Sequence, residues 1–169
     1  MNIILVAGTR PNFMKISPML RSMKTFPKLK PYLIPTGQHY DYKMSDVFFR
    51  ELGIPEPDVN LGVGSGSHAV QTAKIMTAFE EVAIQKKYDL VLVVGDVTST
   101  MACALVAAKL QIPVAHVEAG IRSFDRTMPE EINRIVTDAV SDYLFPPTQT
   151  GVSNLLQEGI PDKKIFLVG

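Results

Sequence analysis

The chain has 169 residues, enough for one domain with a substantial core. Seventeen Lys and Arg balance 17 Asp and Glu, and 46% of residues are hydrophobic, so neither a basic nucleic-acid surface nor an acidic tail is expected. No stretch approaches the ~20 apolar residues that span a bilayer, and one cysteine cannot form an internal disulfide.

"MNIILVAG" opens the chain without the basic start, long apolar core or cleavage site of a signal peptide, so a cytoplasmic location is expected. Its run Ile3 to Ala7 reads as a strand buried on both faces. "GTRPNFMK" follows. Gly8 permits a tight turn, Pro11 opens a helix over 11–24, and Arg10 and Lys15 bring two positive charges to that helix start, a combination suited to anions. "PYLIPTG" is the next strand. It leads into Gln38 and His39 and then a helical pattern over 41–52.

Residues 53–68, "GIPEPDVNLGVGSGSH", read as irregular backbone. The segment "GVGSGS" is not a dinucleotide fingerprint, because Ser67 occupies the third glycine position and no apolar strand precedes it. A helix over 68–85 and the strand "YDLVLVVGD" follow, ending at Asp96. Thr98 and Ser99 suit the start of a helix over 98–110, and so does Asp96 itself. Cys103, in "TMACALVAAKL", reads as a packed thiol in that helix.

"IPVAHVEAG" is a strand with His116 and Glu118 on one face, since side chains alternate. A glutamate that ends a buried strand must leave the core or find a partner. Arg122 is the near candidate. In "DRTMPEEINR", Pro129 and the two glutamates suit a helix N-terminus, and Glu130 is spaced to pair with Arg134 at i,i+4. Ile132, Ile135, Val136, Ala139 and Val140 form one stripe, expected to face the core, with Glu130 and Arg134 opposite. Glu131, on the flank of the stripe, is expected to be structural. "DYLFPP", a helix over 148–158 and a last strand, "KIFLVG", complete the chain, which ends where a further element would be expected.

Short apolar strands alternating with helices predict an α/β domain, a doubly wound Rossmann-like parallel sheet with helices on both faces. Ligands of such sheets bind beyond the carboxyl ends of the strands. Asp96, Glu118 and Glu130 would converge there from three loops. Clustered carboxylates shift one another's proton affinity, which suits paired acid and base work and the stabilisation of positive charge at a sugar carbon. Arg10 and Lys15 would receive a departing phosphate. His39, His68 and His116 are scattered and no cysteine cluster accompanies them, so no metal is expected.

"GTRPNFMK", "GQH", "GDVTST", "HVEAGIRS" and "PEEINR", in this order and spacing, closely resemble the UDP-N-acetylglucosamine 2-epimerase family. The resemblance runs from Met1 to the end of the chain but covers only the first half of the family's usual length. It implies one half of a glycosyltransferase-B-type fold, in which two Rossmann-like domains face a cleft. This chain would be the N-terminal domain over 1–169, with the UDP-binding C-terminal domain of the same enzyme absent. The implied reaction interconverts UDP-N-acetylglucosamine and UDP-N-acetylmannosamine by C2 deprotonation with elimination and re-addition of UDP. It implies no metal and no nicotinamide, and a homodimer in the full-length enzyme.

By motif position Asp96, Glu118 and Glu130 match the family's acidic catalytic residues, and Arg10, Lys15 and Arg134 its basic ones. Gln38, His39, His116 and Arg122 complete the expected substrate-binding set. Tyr40 and Asp41 after "QH", and Lys74 in place of a frequent arginine, depart from members in which a second substrate molecule acts as activator. Hydrolysing relatives that release N-acetylmannosamine and UDP, and epimerases of diacetamido uronic-acid sugars, share these motifs. A glycosyltransferase domain or a non-catalytic sugar-nucleotide-binding module are readings of other classes. Alone, the 169-residue chain is expected to fold, to bind UDP weakly and to lack turnover.

Overall fold

The computed structural model describes residues 1–37 and 53–168. Gln38, His39 and the helix expected over 41–52 lie outside the described residues. The elements are β1 (Asn2–Ala7), α1 (Arg10–Met23), β2 (Lys30–Pro35), α2 (His68–Ala83), β3 (Leu90–Val94), α3 (Thr98–Lys109), β4 (Val114–Val117), α4 (Pro129–Val140), β5 (Tyr143–Phe145) and α5 (Gln149–Gln157). Each coincides with an expected element to within a few residues at its ends. No helix among the described residues is long and apolar enough to cross a membrane.

The strands form one parallel sheet in the order β2-β1-β3-β4-β5. The strands are apolar without alternation because both faces are covered. Ile4, Val6, Ile34, Val91, Val93 and Val114 pack with Ile75 and Phe79 of α2 and with Ala102, Cys103 and Val106 of α3. Ile3, Leu5, Leu33, Leu92, Val94 and Ala115 pack with Ile16 and Leu20 of α1. Full burial of each Val, Leu, Ile or Phe among them contributes roughly 1.5–3 kcal/mol. Cys103 is wholly buried, and burial raises its pKa far above the usual thiol range, so it stays an inert thiol as expected.

The chain leaves β1 for β2 on one side and returns to β3 on the other. The loops after β1 and β3 therefore diverge, and a crevice opens between them at the carboxyl edge.

Two expectations need correction. "KIFLVG" makes no full strand. Ile165 forms a single parallel bridge to Leu144, with further bonds from Phe166 N–H to the Leu144 carbonyl (2.8 Å) and from Val168 N–H to the Pro146 carbonyl (3.2 Å). It lies outside β5, and Phe166, Leu167 and Val168 stay exposed.

Helix α4 is inverted relative to its apolar stripe. Its buried residues are Glu131, Asn133, Thr137 and Asp138, whereas Ile132, Ile135 and Val136 are only half-buried and Ala139 is exposed. The polar side faces inward because strand-end loops lie beneath it, and their backbone groups need partners.

Candidate functional site at the carboxyl edge of the sheet

Three loops build the site. The first joins β1 to α1. Asn12, buried, accepts from the N–H groups of Gly8 and Thr9 (both 3.0 Å) and donates to the Val94 carbonyl (3.1 Å), so it ties the start of α1 to the end of β3. This fixes where Lys15, one turn further on, emerges. Arg10 is exposed at the first turn of the same helix.

The second loop carries Asp96. Its carboxylate pairs with Nη2 of Arg134, and its carbonyl accepts from Asn133 Nδ2 (2.8 Å). It does not cap α3, whose N-cap is Val97 without a side-chain bond. Arg134 also pairs with Glu131 at 3.0 Å, at i,i+3, rather than with Glu130 at i,i+4. Glu131 in turn accepts the N–H groups of Ser123 and Phe124 (both 3.0 Å) and is almost wholly buried, which matches its expected structural role.

The third loop carries Glu118, whose Oε2 lies 2.5 Å from Lys15 Nζ. Arg122, the nearer arginine in sequence, is not its partner. Oε2 also hangs over Gly95: a Cβ on that glycine would sit 3.4 Å from it and 3.4 Å from Asn12 Nδ2. Glu118 has φ +72°, in the left-handed region where a non-glycine residue is uncommon. Its side chain is 28% exposed and that of Asp96 32%, so both carboxylates are reachable from solvent.

The structure thus joins Lys15 to Glu118 and Asp96 to Arg134 around the crevice. Glu130 is exposed at the start of α4, and its side chain makes no hydrogen bond or ion pair with the described residues. His116 and the Arg122 side chain are buried and turned inward. His116 is bonded to Asp138 and to the Gly95 carbonyl, and Arg122 to Asp138 and Glu158. No group of three His, Cys, Asp or Glu side chains among the described residues is arranged to hold a metal ion.

Sequence reasoning missed Asn12, Asn133 and Asp138. Asn12 stands three residues after Thr9, which is the spacing of a capping box. A charged Asp138 beside an apolar stripe was the other available signal.

Burial alone would raise the Asp138 carboxyl pKa. The hydrogen bond and charge of His116, then Arg122, outweigh burial and hold it below the usual range. Glu131 is held low in the same way, by the Ser123 N–H, Arg134 and the Phe124 N–H acting against burial. Carboxylates whose folded pKa is depressed stabilise the fold above their unfolded values, about 3.9 for Asp and 4.3 for Glu. That contribution is lost as pH falls through the folded values. Melting temperature is therefore expected to hold down to about pH 5 and to fall below about pH 4. Asp138→Asn should start lower and fall less steeply. An equal acid slope in both proteins would remove Asp138 from this account.

The family profile described as UDP-N-acetylglucosamine 2-epimerase matches residues 21–169. A UDP-N-acetylglucosamine 2-epimerase of Methanocaldococcus jannaschii is 50% identical over all 169 residues, which are 46% of its own length. A UDP-2,3-diacetamido-2,3-dideoxy-D-glucuronate 2-epimerase of Pseudomonas aeruginosa is 46% identical over 100% of this chain and 48% of its own. The crystal structure of the M. jannaschii UDP-GlcNAc 2-epimerase in complex with UDP-GlcNAc and UDP superposes with a TM-score of 0.96, at 50% identity, over 100% of this chain and 46% of that one. The chain spans about half the length of the curated relatives it matches, corresponding to their N-terminal half.

Proposed function

Because the chain belongs to the UDP-N-acetylglucosamine 2-epimerase family, we propose that it supplies the acid–base half of an enzyme that inverts C2 of a UDP-N-acetylhexosamine. The observation that carries this reading is the pairing of Glu118 with Lys15 and of Asp96 with Arg134 at the topological switch point. Carboxylates and cations are both needed where a C–H proton and a diphosphate leave adjacent carbons.

In the proposed reaction one carboxylate takes the proton from C2. The C1–O bond breaks with its electron pair, releasing UDP and leaving 2-acetamidoglucal. A proton returns to the opposite face of C2 and UDP re-adds at C1. Lys15 and Arg10, on the first two turns of α1, would receive the diphosphate, with the amides and dipole of the helix start adding to the side chains. Lys15 would then exchange part of its contact with Glu118 for the leaving group. Arg134, held from one side by Glu131, keeps the Asp96 carboxylate in place as charge moves. Glu130, Gln38 and His39 complete the proposed site, which a C-terminal domain would close. The working form is proposed to be a cytoplasmic homodimer of the full-length polypeptide.

The P. aeruginosa relative supports a second choice of sugar, a diacetamido uronic acid, on the same machinery. The test is to incubate the full-length protein with each UDP-sugar in D₂O. The expected product is the C2 epimer carrying one deuterium at C2, with the UDP-sugar retained. Release of free N-acetylmannosamine and UDP would assign the hydrolysing outcome. Epimerised product without deuterium, or no C2 change in either sugar, would overturn the proposal.

A further inference from the structure

Beneath the two exposed ion pairs lies a second, buried set of charges. Asp138 of α4 is 1% exposed, and its carboxylate meets three groups. Oδ1 lies 2.6 Å from His116 Nδ1. Oδ2 accepts the Gly120 N–H at 3.0 Å and lies 2.7 Å from Arg122 Nη2. The other nitrogen of His116, Nε2, is 2.8 Å from the Gly95 carbonyl. A carbonyl can only accept, so Nε2 carries its hydrogen.

Gly95 immediately precedes Asp96, and Gly120 is two residues after Glu118. One buried carboxylate therefore reaches both reactive turns, directly at Gly120 and through the imidazole at Gly95. Between them Glu118 is held in the left-handed region, φ +72°, with its N–H bonded to the Phe145 carbonyl at 3.1 Å. A glutamate stays in that region only where the surrounding structure over-determines it. The Gly120 bond to Asp138 supplies the constraint on its far side.

We infer that Asp138, acting through His116, is a positioning residue that sets the separation of Asp96 from Glu118. The inference rests on the reading of those two side chains as the acid–base groups. Neither Asp138 nor His116 touches a ligand, since both are buried. Apolar side chains of the same volume would fill the space without the cost of burying charge. The network is instead bonded to the backbone of the two turns that carry the chemistry. Arg122, which also grips Glu158 (2.6 and 2.7 Å) and the Ile121 carbonyl (2.8 Å), supplies the countercharge.

The test uses kcat and KM of the full-length protein. In His116→Asn the amide nitrogen takes the place of Nδ1, which keeps Asp138 and abandons the Gly95 carbonyl. In His116→Gln it takes the place of Nε2, which keeps Gly95. A displaced catalytic group costs up to about 100-fold in rate. Each variant cuts one of the two bonds that link Asp138 to Gly95, so each is expected to lower kcat about 10–100-fold with KM little changed. Combined with Asp96→Asn, His116→Asn should add little further loss, because it acts through the group already removed.

Near-parent kcat in either folded His116 variant, or losses that multiply in the double variant, would overturn the inference. If His116→Asn does not fold, Asp138→Ala carries the same test. Asp138→Asn, whose amide can still bond His116 and Gly120, is then expected to restore most of kcat, and failure to do so would overturn the inference. If Glu118→Gln alone is as active as the parent, the reading of the site itself falls and this inference with it.

Discussion

Asp96→Asn, Glu118→Gln and Glu130→Gln are each expected to lower turnover of the full-length protein by roughly 10²–10⁴-fold, the scale of a positioned proton-transfer group. Their effects on stability should differ. Asp96 and Glu118 lose partly exposed ion pairs with Arg134 and Lys15. Such pairs are worth about 0–1 kcal/mol, so both variants should fold with melting temperatures near that of the parent. The Glu130 side chain has no partner among the described residues and is exposed. Its amide should change rate alone. Steady-state rates beside thermal unfolding curves check all three. Near-full activity in the three folded variants would refute the assignment.

Gly120→Ala is expected to be strongly destabilising. A Cβ there would stand 2.3 Å from the Gly151 carbonyl oxygen, 2.8 Å from its carbon and 3.0 Å from the Gly151 Cα, and the position has φ +74°. The backbone cannot step aside, because the Gly120 N–H is held by Asp138 at 3.0 Å and its carbonyl by Asn154 Nδ2 at 2.9 Å. Overpacking and left-handed strain together cost about 2–5 kcal/mol. That is a large part of the ~5–15 kcal/mol that holds a domain folded. The melting temperature should drop on the order of 10 °C. Gly159→Ala is the control: its φ is +83° but nothing lies within 4 Å of the added carbon. It carries strain alone, about 1–2 kcal/mol. Equal losses in the two variants would show that the approach of Gly120 to Gly151 does not limit stability.

The strands and helices were legible because each satisfies a local rule. Strands buried on both faces read as unbroken apolar runs, and helices begin at Pro11, Ser67, Thr98 and Pro129 or beside them. Pairing across the sheet was not legible. Arg122 stands four residues from Glu118, yet Lys15, 103 residues away, takes that carboxylate. Once Arg122 reaches Asp138 and Glu158, the crevice leaves α1 as the neighbour of Glu118.

Helix α4 misled for a different reason. A periodic stripe predicts which side is apolar, but here the buried side of the helix, packed beside α3, also meets turns whose backbone groups need partners. Asp138 and Glu131 bond N–H groups of residues 120, 123 and 124, and Asn133 a carbonyl, which no aliphatic side chain can do. His116 shows the same limit. Its type suggested a site-lining residue, whereas its two nitrogens are engaged beneath the site.

The long span between Lys15 and Glu118 also sets a timetable. A ribosome adds about 5–20 residues per second, so the 103 residues that separate the pair take ~5–20 s to emerge. Helix α1 is made first, and Lys15 waits, answered only by water and salt. The Asp96–Arg134 pair, 38 residues apart, closes after Lys15 has met its partner's strand. The crevice is therefore a late product of synthesis, and a nascent chain arrested before β4 is made would carry Lys15 without Glu118 and Asp96 without Arg134.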